Sequence, residues 1–197
     1  MPRLPTLAAL LALCGCFGTT PPSKFYVLRA SPEAADTRNV GGADGVLGVM
    51  PTRVAAYLDR PQMVSFATEN SVNVDEFNRW AEPLSSGVTR VLAQDLAELL
   101  PAWRVLPQPW DPTMPLRTRL VVEISALGWD AKGEARLDAT WALLRRSGEA
   151  PVARGRVAMR RPVPARGVDA GVETLSGLLA DLAGQVAGAA RAMPPPP

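Results

Sequence analysis

The sequence predicts a single α/β domain, a mixed and mostly antiparallel sheet with two main helices packed on it, preceded by an N-terminal signal segment. Three observations carry that reading. Residues 116–161 hold three consecutive stretches in which apolar and polar residues alternate, the period of half-buried strands. Two longer stretches, 81–100 and 169–190, repeat apolar residues every three or four positions, as amphipathic helices do. The first residues form a short positive start and an apolar run that belong to neither pattern.

That N-terminal run comes first. Met1, Pro2 and Arg3 precede Leu4 to Leu13, about ten mostly apolar residues, the length of a secretory h-region. A bilayer span needs about 20, and Pro5 together with the polar Thr19-Thr20-Pro21-Pro22 argues against a buried strand. Processing before a lipidated cysteine requires a small preceding residue. Gly15 meets this for Cys16, whereas Leu13 before Cys14 does not. Cys16 is therefore the expected first residue of the mature chain, with a thioether-linked diacylglycerol and an acylated amine, several chains being enough for stable anchoring. Phe17 is not the aspartate that commonly retains such proteins at the inner membrane, so the expected address is the periplasmic face of the outer membrane. Residues 1–15 are read as cleaved signal, 16–23 as lipidated cysteine and linker, 24–192 as the domain, and 193–197 as a disordered proline tail.

Composition excludes several functions. The 21 Lys and Arg against 19 Asp and Glu leave the chain near neutrality, without the basic footprint of a nucleic-acid binder. With Cys14 removed and Cys16 lipidated, no thiol remains for a disulfide or a metal site. There is no histidine, the commonest general base and metal ligand, so no Ser-His-Asp arrangement exists. No GxSxG elbow is present either, which weighs against a hydrolase. The expectation is no enzyme, no metal and no cofactor.

Along the domain, Lys24 to Leu28 reads as a first strand, and residues 30–45, rich in Pro, Asn and Gly, as a loop. Gly41-Gly42 lacks the GxGxxG or P-loop context of a phosphate cradle. Val46 to Val54, Met63 to Ala67 and Val72 to Phe77 are further strands, with Thr68 to Ser71 as a turn. The paired Asp75-Glu76 would point to opposite faces of its strand and so makes no catalytic pair. A helix begins at Ala81-Glu82-Pro83, with Pro83 in its first turn. Leu84, Val88, Val91, Leu92, Leu96 and Leu99 form its buried face, with Arg90, Gln94, Asp95 and Glu98 largely opposite, and Pro101 ends it. Trp103 to Leu106 is a short strand, followed by a proline-rich irregular crossing over 107–115. Turns at Asp130 to Gly133 and Ser147 to Pro151 join the three strands of 116–161 into an antiparallel meander. Asp169 caps a last helix with the stripe Val172, Leu175, Leu179, Leu182 and Val186. A sheet of about six or seven strands with both helices on one face follows.

Two stretches carry more specificity than a fold needs: residues 54–64, with Tyr57-Leu58-Asp59-Arg60-Pro61-Gln62, and residues 77–84, with Arg79-Trp80-Ala81-Glu82-Pro83-Leu84. Together with Cys16, Phe25-Tyr26-Val27-Leu28 and Pro107-Gln108-Pro109-Trp110, they resemble the PqiC/YmbA family of ABC-type transport auxiliary lipoproteins. The resemblance implies a domain tethered to the outer membrane that docks an inner-membrane MCE-domain tunnel protein during phospholipid transport. It also implies the capacity for a homo-oligomeric ring. Asp59, Arg60, Arg79 and Glu82 are expected either to form an ion-pair cluster fixing the two motif stretches, beside Trp80 and Tyr57, or to present a partner surface with Pro61 and Pro83. Arg154, Arg156 and Arg160 share one strand face, with Arg136 on a neighbouring strand. They read either as a solvated face or as a contact for phospholipid headgroups or an acidic partner, because arginine binds phosphate bidentately. The alternative function is a periplasmic lipoprotein that binds a lipid or small apolar ligand in its own pocket.

Overall fold

The computed structural model describes residues 21–30, 45–111, 113–114, 116–145 and 151–193. The signal, Cys16, Phe17, the loop over 31–44, most of the turn before Pro151 and the tail over 194–197 lie outside the described residues. Nine strands and two helices are found among those described, in the order β1 (Lys24–Tyr26), β2 (Gly45–Val49), β3 (Arg53–Val54), β4 (Gln62–Thr68), β5 (Ser71–Trp80), α1 (Leu84–Leu99), β6 (Trp103–Pro107), β7 (Leu116–Trp129), β8 (Glu134–Arg145), β9 (Ala153–Pro162) and α2 (Val168–Arg191).

The long meander is as the alternation predicts. β7, β8 and β9 pair antiparallel, and Leu120, Val122, Ile124, Leu137, Ala139, Leu143 and Val157 are buried. The β7–β8 turn closes as expected: the Asp130 carboxylate accepts the N–H groups of Lys132 and Glu134, both at 2.9 Å, and Gly133 takes φ +80°. β2 adds parallel to β7 and β6 parallel to β2, completing a large sheet of order β6-β2-β7-β8-β9. The predicted strand over Val46 to Val54 is interrupted. Pro51 has no N–H for the ladder, and the Thr52 N–H goes to the Thr89 hydroxyl (2.9 Å), so pairing to β7 resumes only at β3.

Both helices cover one face of the large sheet, as predicted. α1 begins at Leu84, with Pro83 just outside it, and runs to Leu99, its Leu84, Val88, Val91, Leu92 and Leu96 buried. Asp95 departs from expectation: it is 2% exposed. Its spacing of seven from Val88 and three from Leu92 puts it on the buried stripe, not opposite it. α2 buries the predicted stripe from Val172 to Val186, and its N-cap is Gly167 at φ +121°, so Asp169 sits in the first turn and does not cap. The Arg191 guanidinium donates to the Leu99 carbonyl, joining the last turn of α2 to an otherwise open carbonyl of α1.

The strands do not all share one sheet. β1, β5 and β4 form a second, small sheet in that order, β1 parallel and β4 antiparallel to β5. A bulge makes this possible. The Asp75 carboxylate accepts the N–H groups of Phe77 (2.9 Å) and Asn78 (3.0 Å) and the Asn78 side-chain amide (2.7 Å). The register jumps there from Met63↔Asp75 to Gln62↔Arg79. The redirected end of β5 receives β1, and β4 runs against the end of β7: it bridges parallel at Phe66↔Asp130, and a Cβ on Gly128 would stand 2.9 Å from the Val64 carbonyl oxygen.

Candidate functional site

The first motif stretch is a tight turn held by its own backbone: Leu58 N–H donates to Ala55, Asp59 to Ala56 and Arg60 to Leu58. Leu58 is buried and anchors the turn from below. The Tyr57 hydroxyl donates to the Ser125 carbonyl (2.9 Å), fixing the turn to β7, and burial pushes the phenol above its ordinary pKa. The second stretch crosses the first through the main chain. Trp80 N–H donates to the Pro61 carbonyl at 2.7 Å, and Ala81 N–H to the Tyr26 carbonyl at 2.9 Å. Trp80 itself is 9% exposed and belongs to the core.

The expected ion-pair cluster of Asp59, Arg60, Arg79 and Glu82 does not form. Arg79 turns back to Glu76, donating from Nε to its carbonyl (3.0 Å) and approaching its carboxylate at 3.4 Å. Glu82 bridges to Arg90 at 2.5 Å, and Arg90 also donates to the Leu28 carbonyl at 3.0 Å. The physical reason is direction: Arg79 lies in the redirected end of β5, whereas Glu82 leads into α1 and reaches over its first turn, where it covers Gly87. Asp59 and Arg60 stay exposed in the turn with no ion pair among the described residues. Backbone hydrogen bonds and core packing, not ion pairs, hold the two stretches together. The Asp59-Arg60 tip with Pro61 is left outward. Pro83, at φ −51°, gives α1 its entry angle, and its carbonyl accepts the N–H groups of Ser86 and Gly87.

The arginine face divides in two. Arg136 and Arg160 stand opposite one another in the β8–β9 register and share Asp138, at 2.5 and 2.7 Å. Burial pushes the Asp138 carboxyl up, but the hydrogen bonds and charges of Arg160 and Arg136 outweigh it and hold the group below its usual value. Arg136 also lies over the Phe66 ring, 5.5 Å from its centroid, and near Glu69 of the β4–β5 hairpin. These two arginines are paired within the fold. Arg154 and Arg156, on the same face of β9, have no ion pair among the described residues. They border a shallow depression of about 600 Å³ that also takes in Val121, Ala142 and Pro151. Glu123 and Thr140 lie in its wall.

The alternation of apolar and polar residues does not reveal three indole contacts. Trp110, in the Pro107-to-Trp110 stretch, lies against Gly48, where a Cβ would come within 2.9 Å of the ring. Trp141 lies on Gly155 and Trp129 on Gly171 in the same way, at 2.7 and 2.8 Å. The signal was present as glycines inside strand and helix patterns, which mark close approach.

Among the described residues no three His, Cys, Asp or Glu side chains are grouped to hold a metal ion, and no helix is long and apolar enough to cross a membrane. The motif stretches form a structural clasp that leaves the Asp59-Arg60 turn outward, and β9 leaves Arg154 and Arg156 exposed: the class so defined is a small α/β domain that presents surfaces. The chain belongs to the family of ABC-type transport auxiliary lipoprotein components, whose model matches residues 26–187. No curated protein matches it. Among solved structures, one described as an uncharacterized protein has 19% identity and a TM-score of 0.71, covering 85% of this chain and 98% of that one. A protein from Xanthomonas campestris has 15% identity and a TM-score of 0.64, covering 84% and 93%. A PelC dodecamer from Paraburkholderia phytofirmans has 15% identity and a TM-score of 0.50, covering 80% and 94%. At these identities the likeness is one of fold.

Proposed function

We propose that this protein is a non-enzymatic auxiliary component of an MCE-type intermembrane phospholipid transport system, anchored in the outer membrane through Cys16 and docking the inner-membrane tunnel protein. The observation that carries the reading is the family match over residues 26–187 directly downstream of the Gly15-Cys16 processing signal. The exposed Asp59-Arg60-Pro61 tip is the contact within the motif stretches, because Trp80 is buried and Arg79 and Glu82 are paired with Glu76 and Arg90. Arg154 and Arg156 supply a second contact, for phospholipid phosphate, while Arg160 is taken by Asp138. A ring of several copies accords with the dodecameric assembly of the PelC structure of similar fold.

The test is affinity capture of full-length protein from detergent-solubilised envelopes, with mass spectrometry of what is retained. Recovery of an MCE-domain protein that is lost with Asp59→Ala and Arg60→Ala together, in a variant of unchanged circular dichroism, is the expected result. Retention of that protein by the double variant would move the contact elsewhere. Recovery of no MCE-domain protein at all would overturn the reading.

A further inference from the structure

Among the described residues, strand β1 is an edge of the small sheet, with β5 on one side only. The Tyr26 carbonyl is used by Ala81 toward β5. Successive residues of a strand alternate the side to which their N–H and C=O groups point, so Phe25 turns its pair away from β5, to the side where no strand lies among the described residues. Its side chain is 65% exposed, the largest exposure of any large apolar residue among those described, and Val27 follows at 41%. Both line a groove of about 860 Å³ whose opposite wall is the first half of α2.

The groove is polarised. Asp169 and Glu173 stand one helical turn apart on the α2 wall, both exposed and without an ion pair among the described residues. Asp169 is close enough to Tyr26 for its charge to help raise the phenol, after burial, above its ordinary value. At the other end the Arg29 N–H donates to the Ser176 hydroxyl at 3.2 Å, and the Arg29 side chain lines the groove there. Asp169 thus lies toward Tyr26 and the Arg29 end toward Ser176, while the other guanidinium of the groove, Arg161, is paired with Asp181. Main-chain groups facing outward, apolar side chains at alternate positions and a helical far wall are the elements by which an edge strand takes up an extended peptide.

We propose that the groove between β1 and α2 receives an extended segment of a partner protein as an added strand. The segment has apolar side chains packing on Phe25 and Val27 and a basic side chain lying between Asp169 and Glu173. This rests on the docking function proposed above and gives that function a second, separate contact. Charge order decides the orientation, with the basic residue at the Phe25 end and any acidic group at the Arg29 end.

The experiment measures fluorescence anisotropy of a labelled eight-residue peptide alternating valine and lysine, titrated with full-length protein in detergent micelles. Saturable binding is expected, weakened more than tenfold by Phe25→Asp and by N-methylation of the peptide backbone on one edge. In the Asp169→Arg, Glu173→Arg double variant the preference reverses to the matching valine–glutamate peptide. That reversal also serves as the control for folding, since a collapsed variant gains no new ligand. Binding indifferent to N-methylation, or a double variant that keeps its preference for lysine, overturns the proposal. So does displacement of the peptide by phosphatidylethanolamine vesicles with no effect of charge reversal, which would make the groove a lipid site. No tunnel protein is present in this measurement, so its failure leaves the envelope capture to stand or fall alone.

Discussion

The indole of Trp141 lies flat on Gly155, so close that a Cβ built at position 155 would be 2.7 Å from three of its ring atoms. The two residues face each other across the β8–β9 register, and Trp141 is 8% exposed. Any side chain on Gly155 must push a large buried ring out of place. Gly155→Val is therefore expected to destabilise the domain by about 1–3 kcal/mol, the range of overpacking in a filled core. Urea denaturation checks it, and a midpoint unchanged from the parent would contradict the contact.

Asp138 holds two arginines that would otherwise repel each other across strands. Asp138→Ala leaves Arg136 and Arg160 facing one another without their shared acceptor, and we expect a loss of about 1–3 kcal/mol, the range for stranding a hydrogen-bonded group. The triple variant with Arg136→Gln and Arg160→Gln is expected to recover part of that loss. A thermal melt of the single and triple variants distinguishes repulsion from simple loss of packing.

Acid should weaken the fold in a defined window. Burial pushes Asp75 up, but the side chain and N–H of Asn78 and the N–H of Phe77 outweigh it, and its carboxyl falls below the ordinary value as that of Asp138 does. A group depressed in the folded state binds protons first in the unfolded chain. Its stabilising contribution is complete above the unfolded carboxylate value of about 3.9 and is lost as pH falls through the folded values. Denaturation midpoints between about pH 5 and 2 should fall, and Asp75→Asn should flatten part of that slope.

The two motif stretches should separate by mutation. Trp80→Ala is expected to cost about 3–5 kcal/mol, as truncation of a buried tryptophan does. Arg60→Ala, at an exposed position without an ion pair among the described residues, should change stability by less than about 0.5 kcal/mol. Only the second kind of variant can report on a partner. A binding defect in Trp80→Ala would say nothing about where the partner touches.

What the sequence disclosed follows from how local each feature is. The stripe from Val172 to Val186 and the alternation in residues 116–161 are periodic over many residues, so helix and meander could be read directly. The division of strands between two sheets could not, because it turns on one side chain: the Asp75 carboxylate folds onto Phe77 and Asn78 and redirects β5. Pairing charges by motif failed for the same reason. Arg79 and Glu82 are three residues apart but lie on either side of a strand-to-helix junction: Arg79 pairs with Glu76 within β5, and Glu82, just before α1, reaches Arg90 on that helix. Arg154 and Arg160 look alike in sequence, and only the register that brings Asp138 to both Arg136 and Arg160 tells the paired cation from the one without an ion pair among the described residues.

The clasp of Pro61, Trp80 and Ala81 also determines how a mechanical load would pass through this molecule. Among the described residues the first strand is β1, and tension on it meets three successive fastenings: the pairing of β1 with β5, the Tyr26 carbonyl held by Ala81, and the Leu28 carbonyl held by Arg90. Ala81 lies just before α1 and Arg90 lies within it, so part of the pull is delivered to the helix that lies over the large sheet. A pull on the first strand is thus shared between the small sheet and the core of the large one, rather than borne by a single strand pair.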